Sequence, residues 1–196
     1  MKCDILISYT SDLPYSIVSE FVEEAEGTGI NVIAEERESG PHAGIEWMLP
    51  TAVVVYLVKP YFEEILKEAA KDHYPMLKQG LLKLIRKLFG EKPELRQEKV
   101  SDIFSVMSQT SDGIQIEFLF VEGVSAEVCE ETIENIFRIM REHYANAPND
   151  RLSERVRQLE QNSPHTIYLM YDEENKDHKI LDPIKEAQKD SGHKNV

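Results

Sequence analysis

The sequence predicts an α/β fold, a mostly parallel sheet flanked by helices, to which the C-terminal half adds antiparallel strands. Three short apolar runs rich in β-branched residues, "CDILISY" (3–9), "INVIA" (30–34) and "AVVVYLV" (52–58), are spaced by stretches long enough for crossovers. Further on, "VSDIFSVMSQTSDGIQIEFLFV" alternates polar and apolar residues on both sides of "SDG", the pattern of a hairpin with one covered and one wet face. With 196 residues, 41% of them hydrophobic, the chain can bury roughly 70% of its unfolded surface without disulfide or metal staples.

The elements follow in order. The run 3–9 reads as a strand buried on both faces. Ser11 and Asp12 are candidate caps for a helix that has Pro14 in its first turn and Ile17, Val18, Phe21, Val22 and Ala25 at helical spacing. Gly27 to Gly29 end that helix, and 30–34 returns as a second strand, parallel to and beside the first. The third strand, 53–58, is expected to be parallel to both. Pro60 opens a helical stretch bearing Tyr61, Phe62, Ile65, Leu66 and Ala69 on one face, which Pro75 interrupts. Leu77, Leu81, Leu84, Ile85 and Leu88 then form a second stripe.

The polar stretch 91–99 separates an N-terminal half, 1–90, from a second half, 100–184, that continues the sheet or packs on it. In that half a hairpin over 100–121 turns at residues 111–113. Ser125 caps a helix whose Glu127, Glu130 and Glu131 face the positive end of its dipole and whose Arg138 and Arg141 face the negative end. "DRLSERVRQLEQ" is a short charged helix with Leu152, Val156 and Leu159 inward, and "HTIYLMY" (165–171) is a further strand. "DEENKDHKI" reads as a polar turn, and 185–196 as a disordered tail.

Composition excludes several classes of function. Thirty-six acidic against 22 basic residues give a net charge of −14, which repels phosphate backbones and anionic headgroups, so nucleic acid and membrane are not expected partners. The longest apolar run has seven residues, against about 20 for a spanning helix, and the N-terminus lacks a signal-peptide pattern; a cytoplasmic protein is expected. Cys3 and Cys129 share no paired spacing and read as small buried hydrophobes. The six histidines form no H-x-x-x-H or HExxH pattern, and no G-x-S-x-G elbow occurs, so no metal is expected. Seven Lys and Arg against three Glu over 78–99 read either as a partner-facing patch or as a solvated helix face.

The loop "ESGPHAGIEW" holds the only tryptophan. Gly40 and Gly44 can let backbone amides approach a phosphate, Trp47 can stack on a base, and His42 or Glu46 can bond a ribose. The spacing matches neither G-x-G-x-x-G nor the P-loop, so a turn at Gly40-Pro41 with Trp47 tucked under the sheet edge is the competing reading. Position favours a site, because ligands of such sheets bind beyond the carboxyl ends of the strands, where Ser8, Tyr9 and this loop are expected.

Asp4, Ile7, Ser8 and Tyr9, then Gly40 and Pro41, then 53–58 followed by Lys59, Pro60 and Phe62, make residues 3–75 resemble the first part of a Toll/interleukin-receptor (TIR) domain. The resemblance implies a flavodoxin-like sheet and an interaction or nucleotide-sensing role in signalling or bacterial defence, through a protein partner or self-association. It also implies NAD or a related nucleotide as ligand. Relatives that cleave NAD use a glutamate on the helix after the valine strand, behind a Trp-Cys pair. Here Glu63, Glu64, Glu68 and Asp72 are the candidates, but there is no Trp-Cys pair, and Gln79 follows Tyr74. Those acids also read as a solvated helix face with first-turn carboxylates favoured by the dipole. Binding without strong catalysis is the expectation, with a nucleosidase or an unrelated flavodoxin-like binding protein as alternatives.

Overall fold

The computed structural model describes residues 3–38, 51–66, 73–90, 92–95, 97, 99–148, 150–159 and 166–181. It is an α/β fold built on one seven-stranded mixed sheet. The strands are β1 (Ile5–Thr10), β2 (Val32–Arg37), β3 (Val53–Leu57), β4 (Lys99–Gln109), β5 (Gln115–Glu122), β6 (Thr166–Asp172) and β7 (Asp177–Leu181), in spatial order β2-β1-β3-β4-β5-β6-β7. The helices are α1 (Ser16–Gly27), α2 (Lys59–Leu66), α3 (His73–Phe89), α4 (Ala126–Tyr144) and α5 (Arg151–Leu159). Parallel and antiparallel pairings alternate across the sheet: β1–β2, β3–β4 and β5–β6 are parallel, while β1–β3, β4–β5 and β6–β7 are antiparallel.

The expectation that 53–58 is parallel to 3–9 fails. β3 runs antiparallel to β1, with Ile5 opposite Leu57 and Tyr9 opposite Val53. The chain passes from the end of β2 to the start of β3 at the same end of the sheet, so no crossover is required. Parallel strands need a crossover of about a dozen residues or more, usually helical, and 38–52 carries no helical apolar spacing.

Burial on both faces of β1 is also not what forms. Along β1, β3 and β6 buried residues alternate with half-buried ones. The closed face carries Ile5, Ile7, Val53, Val55, Phe104, Val106, Phe118, Ile167 and Leu169, all in one core. The helices form a single connected layer over it: α1 packs on α3, α3 on α2 and α4, and α4 on α2 and α5. Phe62 of α2 meets Phe137 of α4 edge-on at 5.6 Å between centroids. Leu6, Ser8, Val54, Tyr56, Met107, Tyr168 and Met170 line the opposite face and are only half-buried.

Local chemistry explains the elements. Thr110 and Gly113 close the β4–β5 turn, where Gly113 sits at φ 87°, a conformation open to glycine without strain. This matches the expected hairpin. Ser125 caps α4 by accepting from the Val128 N–H at 3.4 Å. At α1 the outcome differs: Ser11 and Asp12 do not cap it, and the helix begins after Tyr15 with no side-chain cap bond. Pro75 does not break α3 but sits in its first turn, where a missing N–H costs nothing. Gly80, mid-helix in α3, lets α1 approach, since a Cβ there would lie 2.9 Å from the Phe21 ring. The acidic run after β6 is a turn only as far as Lys176; Asp177–Leu181 then forms the edge strand β7.

Three lysines of 78–99 clamp the helix layer. Lys78 pairs with Glu130 and Glu134 of α4, while Lys83 and Lys87 pair with Glu24 and Glu20 of α1. Cys129 is buried and its thiol is pushed up to about 11, and half-buried Cys3 donates to the Ile5 carbonyl. No helix among the described residues is long and apolar enough to cross a membrane.

Candidate functional site

The half-open face gathers a polar cluster that sequence reasoning missed. Arg37, the last residue of β2, stands opposite Thr10 and therefore on the same face as Ser8, Ser105 and Glu117. Ser105 is 0% and Glu117 7% exposed, although strand alternation assigns both to the side opposite the described helices. The Thr51 hydroxyl, just before β3, donates to Glu117 Oε1 at 3.3 Å. The Ser105 hydroxyl lies beside Glu117, near enough to favour its charged form.

Arg37 is the unusual member. Its Nε and Nη2 atoms are buried and neither donates to any acceptor. These two atoms form the side-on fork of the guanidinium, whose parallel N–H groups match two oxygens of a carboxylate or phosphate. Burial lowers the Arg37 pKa and the charge of Glu117 works against that shift, but the two make no ion pair. Burial likewise pushes the Glu117 carboxyl above its ordinary range, which the Ser105 and Thr51 hydroxyls and the Arg37 charge partly reverse. An unmet buried donor costs about 1–3 kcal/mol, more when charged, so a cluster like this sacrifices stability unless an acceptor arrives. Perturbed acids beside unpaired cations concentrate at functional sites.

The structure separates the residues that the sequence grouped. Ser8 shares the face of the cluster, with Val54 between it and Ser105 in the cross-strand row. Tyr9 points the other way, buried under the helices with its ring 6.2 Å from that of Tyr15, and burial raises its pKa. Asp4 holds the start of β2, its Oδ2 accepting from the backbone and side-chain N–H groups of Asn31 at 3.0 Å each. Glu63 and Glu64 lie on α2, in the helix layer on the closed face. Because β3 is antiparallel to β1, α2 also starts at the opposite end of the sheet from Thr10 and Arg37, next to the β4–β5 turn, where Lys59 donates to the Ser111 carbonyl at 2.7 Å. Gly40, His42, Gly44, Glu46, Trp47, Glu68 and Asp72 lie outside the described residues.

No protein-family model matches this chain, and no curated protein or solved structure matches it. Its own side chains therefore carry the functional argument.

Two other polar clusters tie elements of the fold together. His143 lies 2.9 Å from Asp150 and 3.3 Å from Ser153 through Nδ1, a set of residue types that invites comparison with a nucleophile relay. Its Nε2, however, accepts the Ser111 N–H at 2.8 Å, so both ring nitrogens are occupied in tying the end of α4 to the β4–β5 turn. At the far edge of the sheet Asp177 receives Arg138, Arg151 and Arg155 at 3.1, 3.0 and 2.7 Å, which bolts α4 and α5 to β7. No group of three or more metal-ligating side chains occurs among the described residues.

Proposed function

We propose that this chain is a nucleotide-sensing module that binds a phosphorylated ligand on the half-open face of its sheet and does not turn it over. The single observation that carries this reading is the buried, unpartnered Nε–Nη2 fork of Arg37 at the carboxyl end of β2. Ligands of open α/β sheets bind beyond such strand ends. A phosphate oxygen pair, as in NAD or ADP-ribose, meets the fork in the bidentate geometry that favours Arg over Lys. The separation of Glu63 and Glu64 from this face supports binding without cleavage. The reading stands on Arg37 alone.

The test is calorimetric titration of NAD and ADP-ribose into the wild type and Arg37→Gln, with chromatography of the NAD afterwards. Wild type binds, and Arg37→Gln binds at least about tenfold more weakly, because a charge-assisted bond contributes about 1.5–3 kcal/mol. NAD is recovered intact. Equal affinity in the two proteins, or release of nicotinamide, contradicts the reading.

A further inference from the structure

We propose that the helix layer holds a single-chain fatty acid in an apolar cavity between α3 and α4, with its carboxylate at Arg86. This site is separate from Arg37 and goes beyond the functional reading above. The two helices run antiparallel and are joined at one end. The Tyr74 and Phe137 rings meet at 4.9 Å between centroids, and one turn on Lys78 pairs with Glu130 and Glu134. Beyond that clamp, toward the end of α3 and the start of α4, Leu82, Ile85 and Phe89 stand with Ala126 and Cys129 around a cavity of about 380 Å³.

Size and lining select the body of the ligand. Small-molecule sites span roughly 300–1,000 Å³ and are mostly apolar, with a few polar groups that fix orientation. This cavity is at the low end of that range, which suits one acyl chain and not two. Among the described residues its side-chain lining is apolar apart from Arg86, since burial keeps the Cys129 thiol neutral. Charge selects the head group. Lys78, Lys83 and Lys87 of α3 all pair with glutamates of α4 or α1, whereas Arg86 pairs with no carboxylate among the described residues. The start of α4 is already served by the Ser125 cap and by the Glu127 carboxylate, which bonds its own backbone N–H. Arg86 is exposed, so a carboxylate bound to it stays at the mouth, within reach of water, while the chain runs inward along Leu82, Ile85 and Phe89.

The test is calorimetric titration of octanoate, decanoate and decanol into the wild type, Arg86→Gln, Ala126→Trp and Arg37→Gln. The wild type binds decanoate about fifteenfold more tightly than octanoate, because each buried CH₂ tightens binding by about fourfold. Arg86→Gln weakens decanoate by about fivefold, the upper end for an ion pair at a solvent-facing rim, and leaves decanol unchanged. Ala126 is exposed in the first turn of α4, so Ala126→Trp fills the cavity from outside the core and abolishes decanoate binding. Arg37→Gln binds decanoate as the wild type does, which keeps this result apart from the nucleotide reading. A wild type that does not bind decanoate overturns the proposal, as does an Ala126→Trp protein that binds it unchanged. Equal effects of Arg86→Gln on decanoate and decanol also overturn it. Should Ala126→Trp fail to fold, the chain-length and head-group comparisons on the wild type and Arg86→Gln decide.

Discussion

Two buried charged clusters sit on the same sheet, and only one of them pairs its cations with a carboxylate. At the β7 edge, Asp177 is matched by three arginines, and its neighbour His178 has Nδ1 2.7 Å from Asn135 Oδ1. On the half-open face, Arg37 has its fork free. The first arrangement joins two helices to a strand through a shared carboxylate, although Arg155 Nη1 and His178 Nε2 are themselves buried without a partner. The second leaves its cation with no carboxylate bonded to it, and that difference is the contrast the mutations test. Mutations sharpen it, because removing a member of each cluster should move stability in opposite directions.

The largest effect belongs to the closed network. Asp177→Ala leaves Arg138, Arg151 and Arg155 facing one another without their common carboxylate and should cost about 3–5 kcal/mol in urea unfolding. A loss below about 1 kcal/mol would show the network to be ornamental.

Acid supplies the next test. His178 is fully buried, and its pKa is driven down to about 3 by desolvation, with Arg155 and Arg138 lowering it further against the pull of Asp177. It is neutral in the folded chain, whereas the unfolded chain binds a proton near pH 6.5. Its contribution is therefore complete above about 6.5 and is lost as pH falls toward about 3, reaching roughly 2 kcal/mol by pH 5. His178→Gln should flatten that limb of the stability–pH curve, and an unchanged slope would assign it elsewhere.

The smallest effect has the opposite sign. Arg37→Met removes a buried cation with unmet donors and should leave stability unchanged or raise it by about 1 kcal/mol while abolishing ligand binding. A loss of several kcal/mol would place Arg37 with Asp177 as a structural residue.

Periodicity made most elements legible, because a covered face imposes its spacing whatever else the chain does. The β4–β5 hairpin, the Ser125 cap and the α3 stripe all follow from it. Strand direction does not: "AVVVYLV" reads the same in either sense, and the available clue was the lack of a helical pattern in the connection before it. β7 was hidden because an edge strand needs cover on few positions, and Ile180 and Leu181 are its only apolar residues. Arg37 escaped because "EERE" reads as the start of a loop, whereas the ladder with β1 extends through it to Thr10. Glu117 sits at an alternation position that suggests a wet face, and only three-dimensional packing shows it covered.

The central claim is that Arg37 awaits a ligand while the arginines around Asp177 do not. Thermal unfolding of wild type, Arg37→Gln and Arg155→Gln with and without ADP-ribose tests it in one experiment. A ligand at about 100 times its dissociation constant adds about 2.7 kcal/mol to a protein that binds it. The account predicts that wild type and Arg155→Gln both gain this increment, the latter from a lower starting Tm, and that Arg37→Gln gains none. An Arg37→Gln protein that gains as much as the wild type would contradict it.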